Sequence, residues 1–259
     1  MQDTLPPLAE MNATLRDIAP NAVITEVSLK TLDDITLHGV QLIQPAAQAN
    51  IVFYGGNGMT ISKTHKILEE FAYLPANLIW FDYRGSGLSE KSTHLSIDAL
   101  KSDALAVVDF AKATLPSDLP LIVHGLSMGS LLATQLANER DIDGLVLDSA
   151  ISTVPELVDN LVPFWAKPFT SITLDAELQQ INNLQPIAHY QHALLVLVGR
   201  DDTVTPVSAS QAIFNAAVLS PSKALYVIAD AEHGMTIKSE QTISLYNKFI
   251  ATVGHLKQQ

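Results

Sequence analysis

The sequence predicts an α/β protein whose core is one doubly wound, mostly parallel sheet of eight strands. The chain has 259 residues, a length that suits one large α/β domain with a substantial core. A β-rich hairpin comes first. Six short apolar runs then alternate with helical stretches, as strands buried on both faces of a parallel sheet do. We find no internal repeat and no linker, so residues 1–259 are expected to form a single domain.

The elements can be assigned in chain order from turn residues and hydrophobic periodicity. Residues 1–22 are polar with scattered Leu and Ile, which suggests a short helix packed on the outside. Val23–Leu29 and Ile35–Ile43 flank the turn Leu32–Asp34 and predict an antiparallel hairpin. The later strands are predicted at Ile51–Tyr54, Leu78–Asp82, Leu121–His124, Leu145–Asp148, Leu194–Val198 and Leu225–Ala229. Helices are predicted at about 62–73, 96–115, 128–140, 206–218 and 236–253.

Residues 150–193 interrupt this alternation and follow the sixth strand. They leave the carboxyl end of the strand that finishes at Asp148, which is the edge where open α/β sheets carry their ligand crevices. We expect a small cap whose aromatic side chains, Phe164 and Trp165, line a substrate pocket. The alternative is a pair of surface helices with ordinary packing.

Composition limits the partners and the compartment. Acidic residues outnumber basic ones by 27 to 15, giving a formal charge of -12, which disfavours nucleic acid and anionic membrane surfaces. The chain has no cysteine, and no apolar run approaches the ~18 residues of a membrane span. The first residues lack the features of a signal peptide. We therefore expect a cytoplasmic protein, or a periplasmic one if an export signal had been removed; the sequence makes no prediction of oligomeric state.

The nucleophile is expected at Ser127, inside Gly125-Leu-Ser-Met-Gly129. This Gly-x-Ser-x-Gly stretch lies between an apolar strand and a helix, so the serine would occupy a tight turn above the end of the sheet. The helix start behind it would place the backbone N–H of Met128 where an oxyanion develops during acyl transfer.

A serine hydroxyl needs a general base and a group that orients that base. The acid is expected just after a later strand, where Asp202 fits best, and Asp201 and Asp148 are weaker alternatives. His233 follows the last strand and precedes the final helix, so it is the expected base. His124 precedes the serine at a strand end, where a packed core histidine is the better interpretation.

The loop that closes the first parallel strand, Val52-Phe-Tyr-Gly-Gly-Asn-Gly-Met-Thr60, is the candidate for the rest of an oxyanion hole. Its backbone N–H groups could meet that of Met128 around a developing negative charge. A phosphate-binding loop is the rival interpretation, but no Gly-Lys-Ser/Thr follows. A plain turn is the remaining alternative.

With these residues assigned, the chain resembles the α/β-hydrolase superfamily, and within it the compact hydrolases of the serine aminopeptidase-like type. Phe81-Asp-Tyr-Arg-Gly-Ser-Gly-Leu-Ser89 is similar to the family's Asp-Tyr-Arg-Gly-x-Gly-x-Ser loop beside the active site. Tyr54-Gly-Gly-Asn-Gly-Met-Thr-Ile-Ser62 is similar to its Phe-His-Gly-Asn-Ala-Gly-Asn-Ile-Ser stretch. The resemblance puts Gly56 at the family's glycine, against the substrate, and Asn57 at the oxyanion-hole residue.

The chain departs from the family pattern at three positions. Gly55 stands where the family usually has histidine, so a hydrogen bond that steadies this loop is expected to be missing. Leu126 replaces a frequent histidine or tyrosine inside the elbow, and Ser130 replaces a frequent glycine. These changes bear on the oxyanion geometry and on substrate preference.

The residues and the resemblance together predict a serine hydrolase that cleaves carboxylic esters, with amides as a second class, through a Ser127–His233–Asp202 triad and an acyl-enzyme. A small neutral or weakly hydrophobic ester is expected, because the cap is aromatic and short of basic groups. No metal or organic cofactor is implied. The alternatives are an acyltransferase with the same triad and a non-catalytic module that binds an apolar ligand on the same fold.

Overall fold

The structure is a computed structural model that describes residues 3–92, 95–163, 165–169 and 172–258. Its strands, numbered in chain order, are β1 (Val23–Lys30), β2 (Thr36–Ile43), β3 (Ala49–Tyr54), β4 (Ala76–Phe81), β5 (Leu121–Leu126), β6 (Gly144–Asp148), β7 (Ala193–Gly199) and β8 (Lys223–Ile228). All eight join one open sheet in the order β1-β2-β4-β3-β5-β6-β7-β8. Strands β1 and β2 run antiparallel to their neighbours, and the other pairings are parallel. The predicted fold class is confirmed.

The α-helices are α1 (Leu8–Thr14), α2 (Ile61–Thr64), α3 (Ile67–Ala72), α4 (Ile97–Thr114), α5 (Met128–Leu136), α6 (Val154–Leu161), α7 (Ala176–Gln180), α8 (Leu184–Ile187), α9 (Val207–Ala216) and α10 (Glu240–Lys257). Short 3₁₀ turns occur at Lys167–Phe169 and Thr236–Lys238. The single helix predicted over 62–73 is wrong, because the chain is divided at His65 and Lys66. The N–H groups of Leu68 and Glu69 bond three residues back there, which tightens the turn.

Helices cover both faces of the sheet, and the alternation of side chains along each strand feeds two cores. Helices α1, α3 and α10 pack on one face, where Ile51, Phe53 and Ile122 point. Helices α4, α5, α8 and α9 pack on the other face, against Val52 and Val123 among others. Because β3 to β7 are buried along their whole length, their apolar runs could be recognised in the sequence.

The parallel strands all end at one edge of the sheet, so the loops that follow them meet there. Residues 150–193, named here the cap segment, leave this edge after β6 and contain α6, α7 and α8. Helix α6 begins at Thr153, whose hydroxyl accepts the N–H of Glu156 at 3.1 Å. An isolated antiparallel β-bridge between Thr153 and Asn182 joins the start of α6 to the end of α7. Neither helix contains a buried residue among those described.

Candidate active site

Ser127 lies on a strained turn between β5 and α5. Its φ of 51° and ψ of -116° are unusual for a residue with a side chain and are held by the surrounding structure. Its backbone N–H donates to the carbonyl oxygen of Asp148 at 3.0 Å, which fastens the turn to the end of β6. The side chain is therefore fixed at the carboxyl edge of the sheet, where the sequence placed it.

The glycines on either side of the serine are required by close packing. A Cβ added to Gly129 would lie 2.1 Å from the carbonyl oxygen of Tyr54, and one added to Gly125 would lie 2.6 Å from the carbonyl oxygen of Gly129. Both separations are well inside van der Waals contact with backbone atoms that cannot move away. The Gly-x-Ser-x-Gly spacing thus lets β3, β5 and α5 approach one another.

His233 reaches Ser127 across 106 residues of sequence. Its Nε2 lies 2.9 Å from the Ser127 Oγ, and its side chain is 27% exposed, so the imidazole edge faces the solvent-accessible side of the site. The histidine comes from the loop after β8, as predicted. This distance is within the range in which a general base takes a proton from a hydroxyl.

Asp202 is the carboxylate that contacts the histidine. Its Oδ2 and Oδ1 lie 2.9 and 3.1 Å from the His233 Nδ1, and its side chain is fully buried. Burial raises the pKa of Asp202, but hydrogen bonds from His233 and from the N–H of Thr205 outweigh that effect and leave the pKa below its ordinary value. The ionised carboxylate can only accept, so it fixes the proton of the imidazole on Nδ1 and leaves Nε2 free to accept.

Within the described residues, the other carboxylates and histidines considered from the sequence make no side-chain hydrogen bond to Ser127 or His233. Asp201 is exposed. Asp148 is buried and accepts the hydroxyl of Thr236 at 2.5 Å. The His124 Nδ1 lies 3.3 Å from the Tyr246 hydroxyl, and its ring packs among aromatic side chains. His124 is thus the packed core histidine that was expected.

Thr205 and Ser149 support the site, and the sequence reasoning missed both. The Thr205 hydroxyl lies 2.9 Å from the Asp202 Oδ2, 2.9 Å from the Ser149 carbonyl oxygen and 3.1 Å from the His233 Nδ1. Ser149 has a φ of 46°, and its Oγ accepts the N–H of Gly234 at 3.1 Å. The one local signal was the position of Thr205 three residues after an aspartate, a spacing typical of side-chain-capped turns.

Two residues near the serine, Asn57 and Met128, carry a backbone N–H that is unbonded within the described residues. In the described part of the chain, neither Asn57 nor Met128 has a hydrogen-bond acceptor for its backbone N–H. The neighbouring Gly56 N–H is already bonded to the Met59 Sδ at 3.2 Å. A Cβ added to Gly56 would lie 3.4 Å from the Ser127 Cβ, so this glycine lies directly against the serine. Asn57 and Met128 therefore each carry an unbonded donor, as far as the structure describes the chain, and their assignment to an oxyanion hole stays a prediction.

The loop that carries Asn57 is steadied without the family's histidine. The hydroxyl of Tyr83 donates to the carbonyl oxygen of Gly55 at 2.7 Å. A Cβ added to Gly55 would lie 3.3 Å from the Met59 Cβ, so Met59 occupies the space beside it. Tyr83 and Met59 therefore supply contacts to this loop in place of a side chain at residue 55.

Tyr83 belongs to the stretch Phe81–Ser89, which hydrogen bonds and ion pairs of the buried Arg84 and Asp82 side chains hold beside the site. Arg84 is paired with Asp103 at 2.5 Å and with Asp33 at 2.7 Å. The Asp82 carboxylate accepts the backbone N–H groups of Ile61 and Leu88 at 2.8 and 2.9 Å. These contacts connect the loop to α2, to α4 and to the β1–β2 turn.

A cavity of about 1050 Å³ opens beside the Ser127 hydroxyl. Its lining from the cap segment is aliphatic apart from Asn182: Ile151, Val154, Leu157, Leu161, Leu178 and Ile181. The lining from α4 and α5 is aliphatic at Ile97, Leu100, Leu131 and Leu132. It also includes Lys101, Met128 and Gln135. The spacing of Val154, Leu157 and Leu161 by three and four residues is that of one helix face, and this sequence signal could have identified them.

The expectation of an aromatic pocket is wrong for Trp165, which is 67% exposed and lies outside the cavity lining. The helix α6 turns its aliphatic face to the cavity, and the chain has left that helix before it reaches Trp165. Phe164 lies outside the described residues. The cap segment contributes no lysine to the described lining, in agreement with its expected shortage of basic groups. Lysines from outside the cap segment do line the cavity: Lys63, Lys66, Lys101 and Lys238.

Within the described residues, no three His, Asp or Glu side chains are grouped as ligands for a metal ion. The same residues include no helix with the length and hydropathy needed to cross a membrane.

An open, mostly parallel sheet with a strained serine after β5 and a histidine after its last strand defines the α/β-hydrolase class. The sequence comparison agrees, since residues 45–192, more than half of the chain, match the model of the family described as serine aminopeptidase, S33. The chain belongs to this family. The resemblance noted from the sequence motifs is confirmed.

The individual relatives have low sequence identity to this chain. The lysophosphatidylserine lipase ABHD12 of Danio rerio is 27% identical over 66% of this chain and 48% of its own length. The uncharacterized protein YfhR of Salmonella typhi is 24% identical over 72% of this chain and 65% of its own length. The chain thus spans about half to two thirds of these curated relatives. The esterase Pf2001 of Pyrococcus furiosus shares the fold, with a TM-score of 0.73, 24% identity and 92% of each chain covered.

Proposed function

We propose that this protein is a hydrolase and that it cleaves carboxylic esters through an acyl-enzyme formed on Ser127. The observation that carries the proposal is the continuous contact from the Ser127 Oγ through His233 to Asp202, with distances of 2.9 Å at both steps. His233 Nε2 takes the serine proton while the Ser127 Oγ attacks the ester carbonyl carbon. Asp202 keeps the imidazole in the reactive tautomer and stabilises the cation that forms.

The negative charge on the carbonyl oxygen needs donors that are fixed in advance. The backbone N–H groups of Asn57 and Met128 supply them, since neither has another acceptor in the described part of the chain. Collapse of the tetrahedral intermediate breaks the bond to the alcohol, which leaves with the proton from His233. Water then attacks the acyl-enzyme with the same histidine as base, and the free acid is released.

The cavity favours an ester with an aliphatic chain. In this proposal the cap segment acts as a cap over the aliphatic chain of the substrate. Leu157 of the cap segment and Leu100 of α4 are among the side chains that line this space. The lining extends along α5 from Ser127 to Gln135, a distance of about 12 Å at about 1.5 Å per residue. An extended hydrocarbon of about ten carbons has that length, since three bonds of an extended chain span at most about 3.6 Å.

Esters are proposed ahead of amides for two reasons. The Danio rerio relative is named a lipase and the Pyrococcus furiosus structure an esterase, although the family name refers to an aminopeptidase. The aliphatic lining also suits an acyl chain better than a peptide, whose backbone needs hydrogen-bond partners. Esters should therefore be cleaved faster than aminoacyl anilides.

The test compares Ser127→Ala with the parent protein on p-nitrophenyl esters of graded chain length. We expect the variant to fold and to lose about 10⁴- to 10⁶-fold in turnover. Ser208→Ala, at an exposed serine on α9, is the matched control and should keep full activity. A fluorophosphonate probe should label the parent and the control alone. Equal turnover by parent and Ser127→Ala would overturn the assignment of the nucleophile, and ester products formed with an added alcohol would indicate acyl transfer instead.

A further inference from the structure

The cavity has a charge balance opposite to that of the chain. The whole chain carries 27 acidic and 15 basic residues. Among the described residues that line the cavity, four are lysines and two are acidic, Glu69 and Glu70. The lysines come from separate elements: Lys63 and Lys66 follow the loop of Asn57, Lys101 lies on α4, and Lys238 follows the loop of His233. An excess of positive charge at one site of an acidic protein attracts anions.

Not all of these lysines are matched by carboxylates. Lys63 lies 3.9 Å from Asp3. Lys238 lies near Glu70. Burial raises the pKa of Glu70 above its ordinary value, and the charge of Lys238 acts in the opposite direction. In the part of the chain that the structure describes, no carboxylate lies within 4.0 Å of the amino groups of Lys66 or Lys101. These two cations remain available to a ligand.

We propose that the cavity selects esters that carry an anionic group as well as an aliphatic chain, and that Lys66 and Lys101 recognise the anionic group. This inference rests on the proposed ester hydrolysis at Ser127 and names its substrate class. The aliphatic lining from the cap segment, α4 and α5 holds the chain. The lysines lie where that lining meets solvent, since Lys66 is exposed and Lys101 half-buried.

The physical basis is the environment of the charges. An ion pair at an open surface contributes little, because water and salt screen it. Beside a large apolar cavity that a ligand chain has filled, less water remains around the lysine amino groups, and the attraction to an anion increases. A cationic group on the substrate would meet the same lysines unfavourably, so the cavity discriminates by sign.

The kinetic test uses three decanoyl esters below their micelle-forming concentrations: decanoylglycerol phosphate, decanoylglycerol and decanoylcholine. We expect kcat/KM to fall in that order, with the anionic ester about tenfold above the neutral one, a factor within reach of two partly screened ion pairs. Lys66→Gln and Lys101→Gln should each reduce the anionic-to-neutral ratio about threefold, and the double variant about tenfold. The matched control is Lys112→Gln, since Lys112 is an exposed lysine on α4 outside the cavity lining and its loss changes net charge equally.

Salt separates a charge effect from a change of shape. Raising the salt from about 0.1 M to about 1 M shortens the Debye length from about 10 Å to about 3 Å, so the anionic-to-neutral ratio should fall towards one in the parent. A ratio of one or less in the parent at low salt, or a ratio that neither salt nor the lysine variants change, would overturn the inference. Turnover of the neutral ester would still support ester hydrolysis.

A binding measurement tests the inference apart from catalysis. Calorimetric titration of Ser127→Ala with decyl phosphate should show binding about tenfold tighter than with decanol, and Lys66→Gln/Lys101→Gln in the same background should remove that difference. Inorganic phosphate alone should bind more weakly still, because it has no chain to fill the cavity. Equal binding of decyl phosphate and decanol would contradict the proposal even if every ester is cleaved.

Discussion

The Ser149 Oγ accepts a hydrogen bond from the backbone N–H of Gly234 at 3.1 Å, which ties the residue after β6 to the residue after His233. The carbonyl oxygen of Ser149 accepts the Thr205 hydroxyl at 2.9 Å, so the same residue also touches the loop of Asp202. These two contacts fix the positions of the loops that follow β7 and β8 relative to the end of β6. Ser149 is a positioning residue in this arrangement, since it reaches the serine hydroxyl only through others.

Ser149→Ala should weaken the position of His233 without removing any reacting group. The N–H of the half-buried Gly234 would lose its acceptor, which should cost an amount towards the lower end of the about 1 to 3 kcal/mol that a fully buried donor loses. We expect kcat to fall about tenfold, with KM nearly unchanged, in assays with p-nitrophenyl esters. A merely structural role would lower the melting temperature and leave kcat at low temperature intact.

Ser210→Ala is the matched control for that experiment. Ser210 is also buried, and its hydroxyl has no partner within the described residues, so its removal should leave stability unchanged or slightly raised. If both variants lowered kcat equally, the hydrogen bond between Ser149 and Gly234 would have no special part in positioning the histidine.

Tyr83→Phe tests the loop of Asn57. The variant keeps the half-buried ring and removes the hydroxyl that donates to the Gly55 carbonyl oxygen. We expect a loss of about 1 kcal/mol in the free energy of unfolding and a several-fold lower kcat, because the oxyanion donor becomes less well fixed. Tyr190→Phe removes another buried hydroxyl, bonded to Ala193 at 3.3 Å and remote from this loop, and should lower stability alone. Unchanged kcat in Tyr83→Phe would contradict the role given to this contact.

Gly129→Ala should prevent folding, because its Cβ would lie 2.1 Å from the carbonyl oxygen of Tyr54. The expected readouts are insolubility on expression and loss of the cooperative unfolding transition. Gly254→Ala is the contrasting change, since Gly254 lies in α10 with nothing within 4 Å of an added Cβ. It should stabilise the protein by about 0.5 to 1 kcal/mol, the usual gain for alanine over glycine in a helix. A soluble, active Gly129→Ala protein would show that β3 and α5 can separate.

Asp202→Asn should change both activity and the dependence of stability on pH. Turnover should fall about 10⁴-fold, since an amide no longer fixes the imidazole tautomer. The pKa of Asp202 is lower in the folded chain than in the unfolded one. Its contribution to stability is therefore present above the unfolded value of about 3.9 and is lost as the pH falls through the folded value.

The measurement is urea unfolding of the parent and Asp202→Asn at several pH values. The difference in stability between the two should be present at pH values above about 5 and should shrink below about 4. Asp201→Asn, at the exposed neighbouring carboxylate, should follow the parent. A stability difference that grows as the pH falls would have the wrong sign for a lowered carboxyl pKa.

Much of the fold was readable because β3 to β7 are buried on both faces, and a run such as Leu194–Val198 permits few other structures. The three candidate catalytic residues were found for a related reason. Each follows the end of a parallel strand, and such ends converge on one edge. The insertion of β4 between β2 and β3 was beyond the sequence, since it depends on pairings between distant strands rather than on local pattern.

The lining of the cavity was the other part that sequence reasoning could not give. Trp165 was expected to line the pocket because its segment leaves the carboxyl end of the strand that finishes at Asp148. That position places the segment near the cavity, but the direction in which the backbone leaves α6 decides which side chains line it. Lys66 and Lys101 are 35 positions apart in the chain, and only the tertiary structure brings both to one cavity. The periodicity of a sequence indicates which side chains lie on one face of a helix or strand. It does not indicate which helices and loops come together to line a cavity.

Helices α6 and α7 of the cap segment contribute no buried residue among those described, so the two sheet cores are complete without them. Substitutions at Leu157, Leu161 or Leu178 would therefore reshape the walls around a bound molecule at little cost to folding. The residues that line the cavity from α6 and α7 can therefore change during evolution without loss of the fold, because they are not the residues that form the two cores.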